Sequence, residues 1–275
     1  MENLTHSELM VSVVVPVSNR HQELLRALLS IREQDYKNIE VIVVENNSSD
    51  PGEVESFALQ ASLRKMKFFS ISECANANVA RNFGVGKSSG TLIAFLDSDD
   101  EWLPNHISNC IGVLHDNCAD FVYGAAVIDN GEHEFVRDAW RLHGCAVNYL
   151  VGHDNGFAPT SSYLIKKNVF KRVLWDETLS RHQDYDFFIR CSFFSKMVVN
   201  RNADIRIHWK KGELRNFSAL SMIDFYHKWR GFMEPSVERR YIKGAIKDCA
   251  IHKELAFSFY FFCKLFFLSL RRRFI

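Results

Sequence analysis

A chain of 275 residues with 34 basic and 33 acidic side chains has a net charge of only +1, which excludes bulk nucleic-acid binding driven by charge. Its length suffices for one large domain with its own core, with or without a C-terminal appendage. Seven scattered cysteines with no CxxC pair argue against a disulfide framework or a zinc site, and for reduced thiols in a cytosolic compartment.

The N-terminus carries Glu2 and Glu8 and no Lys or Arg before Arg20, which is not a signal-peptide pattern. Met10 to Val17 is a β-branched run that ends at Ser18-Asn19-Arg20 and predicts a first buried strand. Leucines at 24, 25, 28 and 29 with Ile31 predict a helix over 21–34. Ile39 to Val44 predicts a second buried strand, followed by the turn cluster Glu45-Asn46-Asn47-Ser48-Ser49-Asp50-Pro51-Gly52. A helix over 53–65, a strand over 67–71 and a helix over 76–87 come next, with Gly90 ending the last. Leu92 to Leu96 is a short apolar run of the kind that suits a strand buried on both faces. This β-α-β-α-β-α-β order predicts a mainly parallel, doubly wound sheet with ligands at the carboxyl ends of its strands.

Beyond it, 103–117 reads as a helix with Pro104 in its first turn, and 121–128 as a single strand. The stretch 129–159 mixes charges, aromatics and glycines without period and is expected to face substrate. A strand resumes over 161–165, with Asn168 placed to cap a short helix. A second polar cluster, Arg181-His182-Gln183-Asp184-Tyr185-Asp186, runs into a helix beginning near Phe187. No domain boundary is visible before about residue 210. The expected division is 1–210, in two halves (1–100 and 101–210), then a helical extension over 211–275.

The run Leu92–Leu96 stops at Asp97, Asp99, Asp100 and Glu101. If the chain stays extended there, period-2 alternation points Asp97 and Asp99 the same way. Carboxylates this close repel one another, so either some hold protons or a cation sits among them. Mg²⁺ or Mn²⁺ suits such a place, being bound by one or two carboxylates plus substrate phosphates.

Four stretches in order, VSVVVPVSNR, VIVVENNSSD, VARNFGVGKSSGTLIAFLDSDD and LSRHQDYDFFIR, resemble glycosyltransferase family 2, the inverting nucleotide-sugar transferases of the GT-A fold. The resemblance covers about residues 10 to 210. It implies a nucleotide-sugar site built from Pro16, Val17, Ser18, Arg20, Glu45, Asn47, Asn76, Arg81, Asp97, Ser98 and Asp99. By the same resemblance Asp99 binds Mn²⁺ or Mg²⁺ directly, Asp97 contacts ribose or a water on the metal, and His208 is a further candidate ligand. Glu45 departs from the family's usual Asp. A carboxylate there would accept an N–H from uracil, thymine or guanine, which favours a UDP-sugar donor. Asp184 matches the family's base position, with Asp186 the competing candidate, and Gln183 stands where many relatives have Glu. His182 could orient the base or pack. The implied activity is hexosyl transfer, with inversion, to a saccharide acceptor in bacterial O-antigen or capsule-type assembly. A non-catalytic nucleotide-sugar-binding scaffold on the same fold is the alternative.

Residues 255–270 are apolar apart from Lys264 and two serines, and Arg271-Arg272-Arg273 follow. The run is shorter than the ~20 residues a spanning helix needs. Lys253, Lys264 and Arg271 fall on one helical stripe, shared with Phe261 and Leu268. That geometry predicts a helix lying in a membrane interface with its cations toward anionic head groups, or else packed on the domain or a dimer partner. Arg201, Arg206, Lys210, Lys211 and Arg215 could face the same surface. An acceptor linked to a polyprenyl diphosphate, at the inner face of the cytoplasmic membrane, would account for both features.

Overall fold

The computed structural model describes residues 9–72, 76–152, 156–209 and 217–271. Four parallel strands, β1 (Val11–Val17), β2 (Ile39–Asn46), β3 (Met66–Ile71) and β4 (Leu92–Phe95), form one half of a seven-stranded sheet. The helices α1 (His21–Arg32), α2 (Pro51–Gln60) and α3 (Ala77–Lys87) connect them. Every residue of β1 is buried. Val11, Val13, Val15 and Val17 pack with α1 and α2 on one face, whereas Val14 packs with α3 on the other. This is why the strand reads as a continuous apolar run and not as an alternating one. Gly84 of α3 lets the helix lie directly on the sheet: a Cβ there would meet Val14 Cγ1 at 2.4 Å.

The strands run in the order β3-β2-β1-β4, so the chain moves outward from β1 and then returns to its other side. Two successive connections therefore leave β1 and β4 in opposite directions, which opens a crevice at their carboxyl ends. The sheet continues through β9 (Leu164–Lys166), β6 (Phe121–Gly124) and β10 (Met197–Asn200), with β9 antiparallel to both neighbours. The α/β GT-A expectation of a mainly parallel, doubly wound sheet is met.

A smaller four-stranded sheet was not foreseen. It orders β5 (Glu101–Trp102), β11 (Ile205–His208), β7 (Ala126–Asp129) and β8 (Glu134–Arg137). The single strand expected over 121–128 is thus two, divided at Ala125 between two sheets. The stretch expected to be irregular holds β8 and the helix α5 (Ala146–Val151). The helix α4 (His106–Asp116) starts after Pro104, not around it. Asn168 lies inside a 3₁₀ turn, Lys167–Lys171, and does not cap it.

The C-terminal helices α7 (Ala219–Trp229) and α8 (Pro235–Ile251) are no loose appendage. Phe225, Tyr226, Trp229, Tyr241 and Ile242 join Val14, Phe95 and Phe187 in one continuous core. The last helix, α9 (Leu255–Arg271), adds Phe261 to it. Among the described residues no helix is long and apolar enough to cross a membrane.

One buried carboxylate clamps the amino-terminal edge of the sheet. Glu40 accepts from Ser12 Oγ (2.6 Å), from the Ser89 N–H and hydroxyl (2.6 and 2.7 Å) and from Lys67 Nζ (3.1 Å). Burial alone would raise its pKa, but these donors outweigh it and hold the carboxyl at about 2. A depressed folded pKa stabilises above the unfolded value of 4.5 and loses that contribution as pH falls toward 2. Denaturant titrations between pH 7 and 3 should therefore show an acid-induced loss of stability that Glu40→Gln makes shallower.

Candidate functional site

A cavity of about 440 Å³ opens in the crevice between β1 and β4. Pro16, Val17, Ser18 and Arg20 from the end of β1 form one wall, and Asp97, Ser98 and Asp99 after β4 form another. Asn76, Ala77, Ala80 and Arg81 from the start of α3, together with Asn46 and Gln183, complete it.

The acidic wall does not arise as expected. The chain leaves the extended state after Phe95 and turns, with the Asp100 N–H donating to the Asp97 carbonyl (3.0 Å). Ser161 pins the turn: its Oγ accepts from the Asp97 N–H (3.1 Å) and donates to Asp100 Oδ2 (2.5 Å). Asp97 and Asp99 still both face the cavity, because of that turn and not because of strand alternation.

Each carboxylate meets an arginine. Arg81 Nη2 lies 2.6 Å from Asp97 Oδ1, and Arg20 Nη1 lies 2.5 Å from Asp99 Oδ2. Arg81 is almost wholly buried, stacks over the Trp175 ring at 4.5 Å and donates to Asn78 Oδ1 (3.2 Å). It is therefore fixed in direction, whereas Arg20 is half exposed. Burial pushes the Asp99 carboxyl up; Arg20 pulls it down, and Asp97 adds to the rise. Asp100, buried beside both, is pushed well up by burial and by the charges of Asp99 and Asp97.

The helix α6 (Gln183–Ser192) begins at the rim, with Gln183 on the cavity wall. Asp184 sits in its first turn and accepts the Tyr185 N–H (2.9 Å). Burial lifts its carboxyl above the usual range, opposed by Tyr185 and by the Arg81 charge and aided by Asp97. Asp186 is different. It is fully buried and held by Arg190 Nε (2.7 Å), Trp229 Nε1 (2.9 Å) and Lys228 Nζ (2.8 Å), so it bolts α6 to α7 and faces no cavity. His182 is also accounted for by packing: its ring lies 4.8 Å from Phe225, and burial with Arg181 nearby pushes its pKa down to about 3.

Three sequence expectations find a different placement. Glu45 is fully buried and off the cavity wall, its carboxylate accepting from the Ser48 N–H and the Ser70 hydroxyl (both 2.5 Å). Since side chains alternate along a strand, the cavity position falls to the next residue, Asn46. Asn46 Nδ2 donates to the Asn76 carbonyl (3.0 Å), which orients the amide, and its buried Oδ1 has no partner among the described residues. Asn46 is a polar wall residue that sequence reasoning missed; the burial of β2 on both faces hid the pleat phase. Asn47, with φ of 62°, lies in the following turn and not on the wall. His208 is engaged at both ring nitrogens, by Glu101 (2.6 Å) and Asp129 (3.2 Å), so it is not grouped with Asp97 and Asp99.

For a divalent cation, the donor set at the turn is apt in chemistry. The charge of Asp97 helps raise the carboxyls of Asp99 and Asp100, a repulsion that a cation would relieve, and these oxygens suit Mg²⁺ or Mn²⁺. Among the described residues no three His, Cys, Asp or Glu side chains form a metal cage. Substrate phosphates would have to supply the remaining ligands, as is usual for these ions.

Residues 12–195 match the family model described as glycosyl transferase family 2. An uncharacterized glycosyltransferase of Rickettsia bellii is 30% identical over 246 residues, covering 85% of this chain but only 35% of that protein. The amylovoran biosynthesis glycosyltransferase AmsB of Erwinia amylovora is 28% identical over 243 residues, or 83% of this chain and 79% of AmsB. The crystal structure of S. aureus TarS 1–349 in complex with UDP superposes with a TM-score of 0.64 at 18% identity, covering 86% of this chain and 65% of that one.

Proposed function

The chain belongs to glycosyl transferase family 2, and on that premise we propose that it transfers a hexosyl group from a UDP-sugar to a hydroxyl of a saccharide acceptor, with inversion at the anomeric carbon. The observation that carries this reading is that Asp97, Asp99 and Arg81 share one cavity with the start of the helix bearing Asp184.

In this reading the diphosphate lies across the mouth of the crevice. Arg20, half exposed and paired with Asp99, turns toward the phosphates, and buried Arg81 fixes Asp97. Asp99 would hold Mn²⁺ or Mg²⁺ with Asp97 beside it; the bound cation supplies Lewis-acid stabilisation of the departing diphosphate. His208 is left out of that set because its nitrogens are taken. Asp184 accepts the proton of the acceptor hydroxyl as that oxygen bonds to the anomeric carbon and the carbon–phosphate oxygen bond breaks. Attack from the face opposite the leaving group gives inversion.

Asn46 lines the cavity, and in this reading its amide oxygen accepts the imide N–H of a uracil. AmsB, by its name, acts in amylovoran biosynthesis, and TarS was crystallised with UDP; both are in keeping with a UDP-sugar donor and a growing polysaccharide acceptor. We place that acceptor on a lipid diphosphate at an anionic membrane surface, with the enzyme peripheral on its inner face.

Calorimetric titration of UDP, GDP and dTDP in the presence of Mn²⁺ tests the donor. UDP should bind best, and Asn46→Leu should weaken it by about 10-fold, the order expected for one buried hydrogen bond. Tighter binding of GDP would redirect the donor, and no nucleotide binding would remove the transferase reading.

A further inference from the structure

The last helix presents the opposite face to the one its sequence suggests. Lys253 does not belong to α9; it lies in the connecting turn with φ of 62°. Phe257, Phe261 and Leu268 pack onto the protein, with Phe261 wholly buried edge-on to Tyr226 at 6.0 Å. Lys264 folds back over the Tyr260 ring at 5.2 Å. Solvent instead meets Leu255, Phe259, Phe262 and Phe266, at spacings of four, three and four residues, with Phe267 beside them. Each of these five is more than half exposed. A helix repeat of 3.6 residues aligns 255, 259, 262 and 266 along one side for about 16 Å.

An unbroken aromatic stripe is a surface that water does not favour. The stretch around it is mostly basic in sequence. From Arg239 onward the chain has nine basic residues against two acidic ones, in a protein whose total is +1. Lys243 and Lys247 on α8 and Lys253 at the turn are exposed and pair with no other described residue. Arg272 and Arg273 follow Arg271 in sequence; the side chain of Arg271 and the residues after it lie outside the described structure, as do Lys210, Lys211 and Arg215. Arg206 is not part of this surface, being paired with Glu134 (3.2 Å).

We infer that α9 lies flat on an anionic bilayer, with Phe259, Phe262 and Phe266 inserted at the boundary of head groups and acyl chains and Lys243, Lys247 and Lys253 on the phosphates. Apolar insertion and attraction to anionic lipid act together in such helices. A second copy of the chain is the poorer fit, because a two-fold contact through this stripe would bring two basic surrounds together with little acidic surface to meet them. The helices beneath are tied to the transfer site: Arg181 pairs with Asp248 of α8 (2.7 Å), and Trp229 of α7 holds Asp186 of α6 (2.9 Å). Docking through α9 would thus orient the cavity relative to the bilayer. The inference rests on the lipid-linked acceptor reading for its purpose, but not for its test.

The test is flotation of the full chain with vesicles of phosphatidylcholine, with and without phosphatidylglycerol, alongside UDP binding by the same samples. Wild type should float with anionic vesicles and less with neutral ones. Phe259→Ser, Phe262→Ser and Phe266→Ser combined should lower the partition coefficient at least about 10-fold. Lys243→Gln, Lys247→Gln and Lys253→Gln combined should lower it several-fold and flatten its salt dependence. Unchanged UDP binding by both variants would show an intact donor site. The inference is overturned if wild type binds UDP but not anionic vesicles, or if the serine variant floats as wild type does. It is overturned equally by a stripe-dependent dimer in ultracentrifugation with no vesicle binding. Failure of UDP binding with flotation intact would remove the donor reading and leave this one standing.

Discussion

Asp184→Asn is expected to lower kcat by about 10²- to 10⁴-fold, the range for loss of a positioned general base. The substitution keeps the size of the side chain and the acceptor oxygen for the Tyr185 N–H, so α6 should begin as before. UDP binding should hardly change, because Gln183 and not Asp184 lies on the cavity wall. The pH profile adds a signature that a structural role would not have. In the proposed mechanism Asp184 works as a carboxylate, and burial raises its pKa. Activity should therefore be present above that raised pKa and lost as pH falls through it, with the acid limb of kcat/KM above the usual ~3.9 of an aspartate. Single-turnover transfer to a saccharide acceptor between pH 4 and 8 measures this. Full activity in the Asn variant would return the role to another group. Unaltered UDP binding with no turnover even in wild type would favour the scaffold alternative.

Asp99→Ala should separate the metal from the arginine that shares its carboxylate. With Mn²⁺ present, UDP affinity is expected to drop about 100-fold, or about 2.7 kcal/mol, because the cation loses its protein anchor and only the phosphates hold it. In chelator the variant should bind UDP at least as well as wild type. The reason is the ion pair: in wild type Arg20 is held 2.5 Å from Asp99, and removing that partner frees the guanidinium for the diphosphate. A calorimetric titration with Mn²⁺ and with chelator reads both arms. Equal loss in the two conditions would mean that Asp99 serves the shape of the turn, not a cation.

The difference between what could be read from the chain and what could not follows burial and length. The runs Val11–Val17 and Leu92–Phe95 are apolar because both faces of the central sheet are covered, so strand, order and crevice were all legible. The same two-sided burial erased the alternation that tells which side chain of β2 points where. Only the pleat decided that Asn46 and not Glu45 meets the cavity. The strands of the small sheet are two to four residues long, too short for a period, and β5 pairs across more than a hundred positions, Glu101 with Arg206. His208 looked available in the chain because its carboxylate partners, Glu101 and Asp129, are distant in sequence.

The C-terminal helix shows the same division from the other side. Composition alone set out a short, aromatic, basic segment unable to span a bilayer. Its helical wheel could not say which stripe is outermost, since apolar residues lie all round it. Contact with Tyr226 and Tyr241 buries Phe261 and its stripe and leaves Phe259, Phe262 and Phe266 in water. Sequence by itself determined the elements, their order and the carboxylates at their ends, because those depend on local pattern. Tertiary structure alone decided which of those side chains share a cavity and which helix face is bare, because both depend on contacts between residues far apart in the chain.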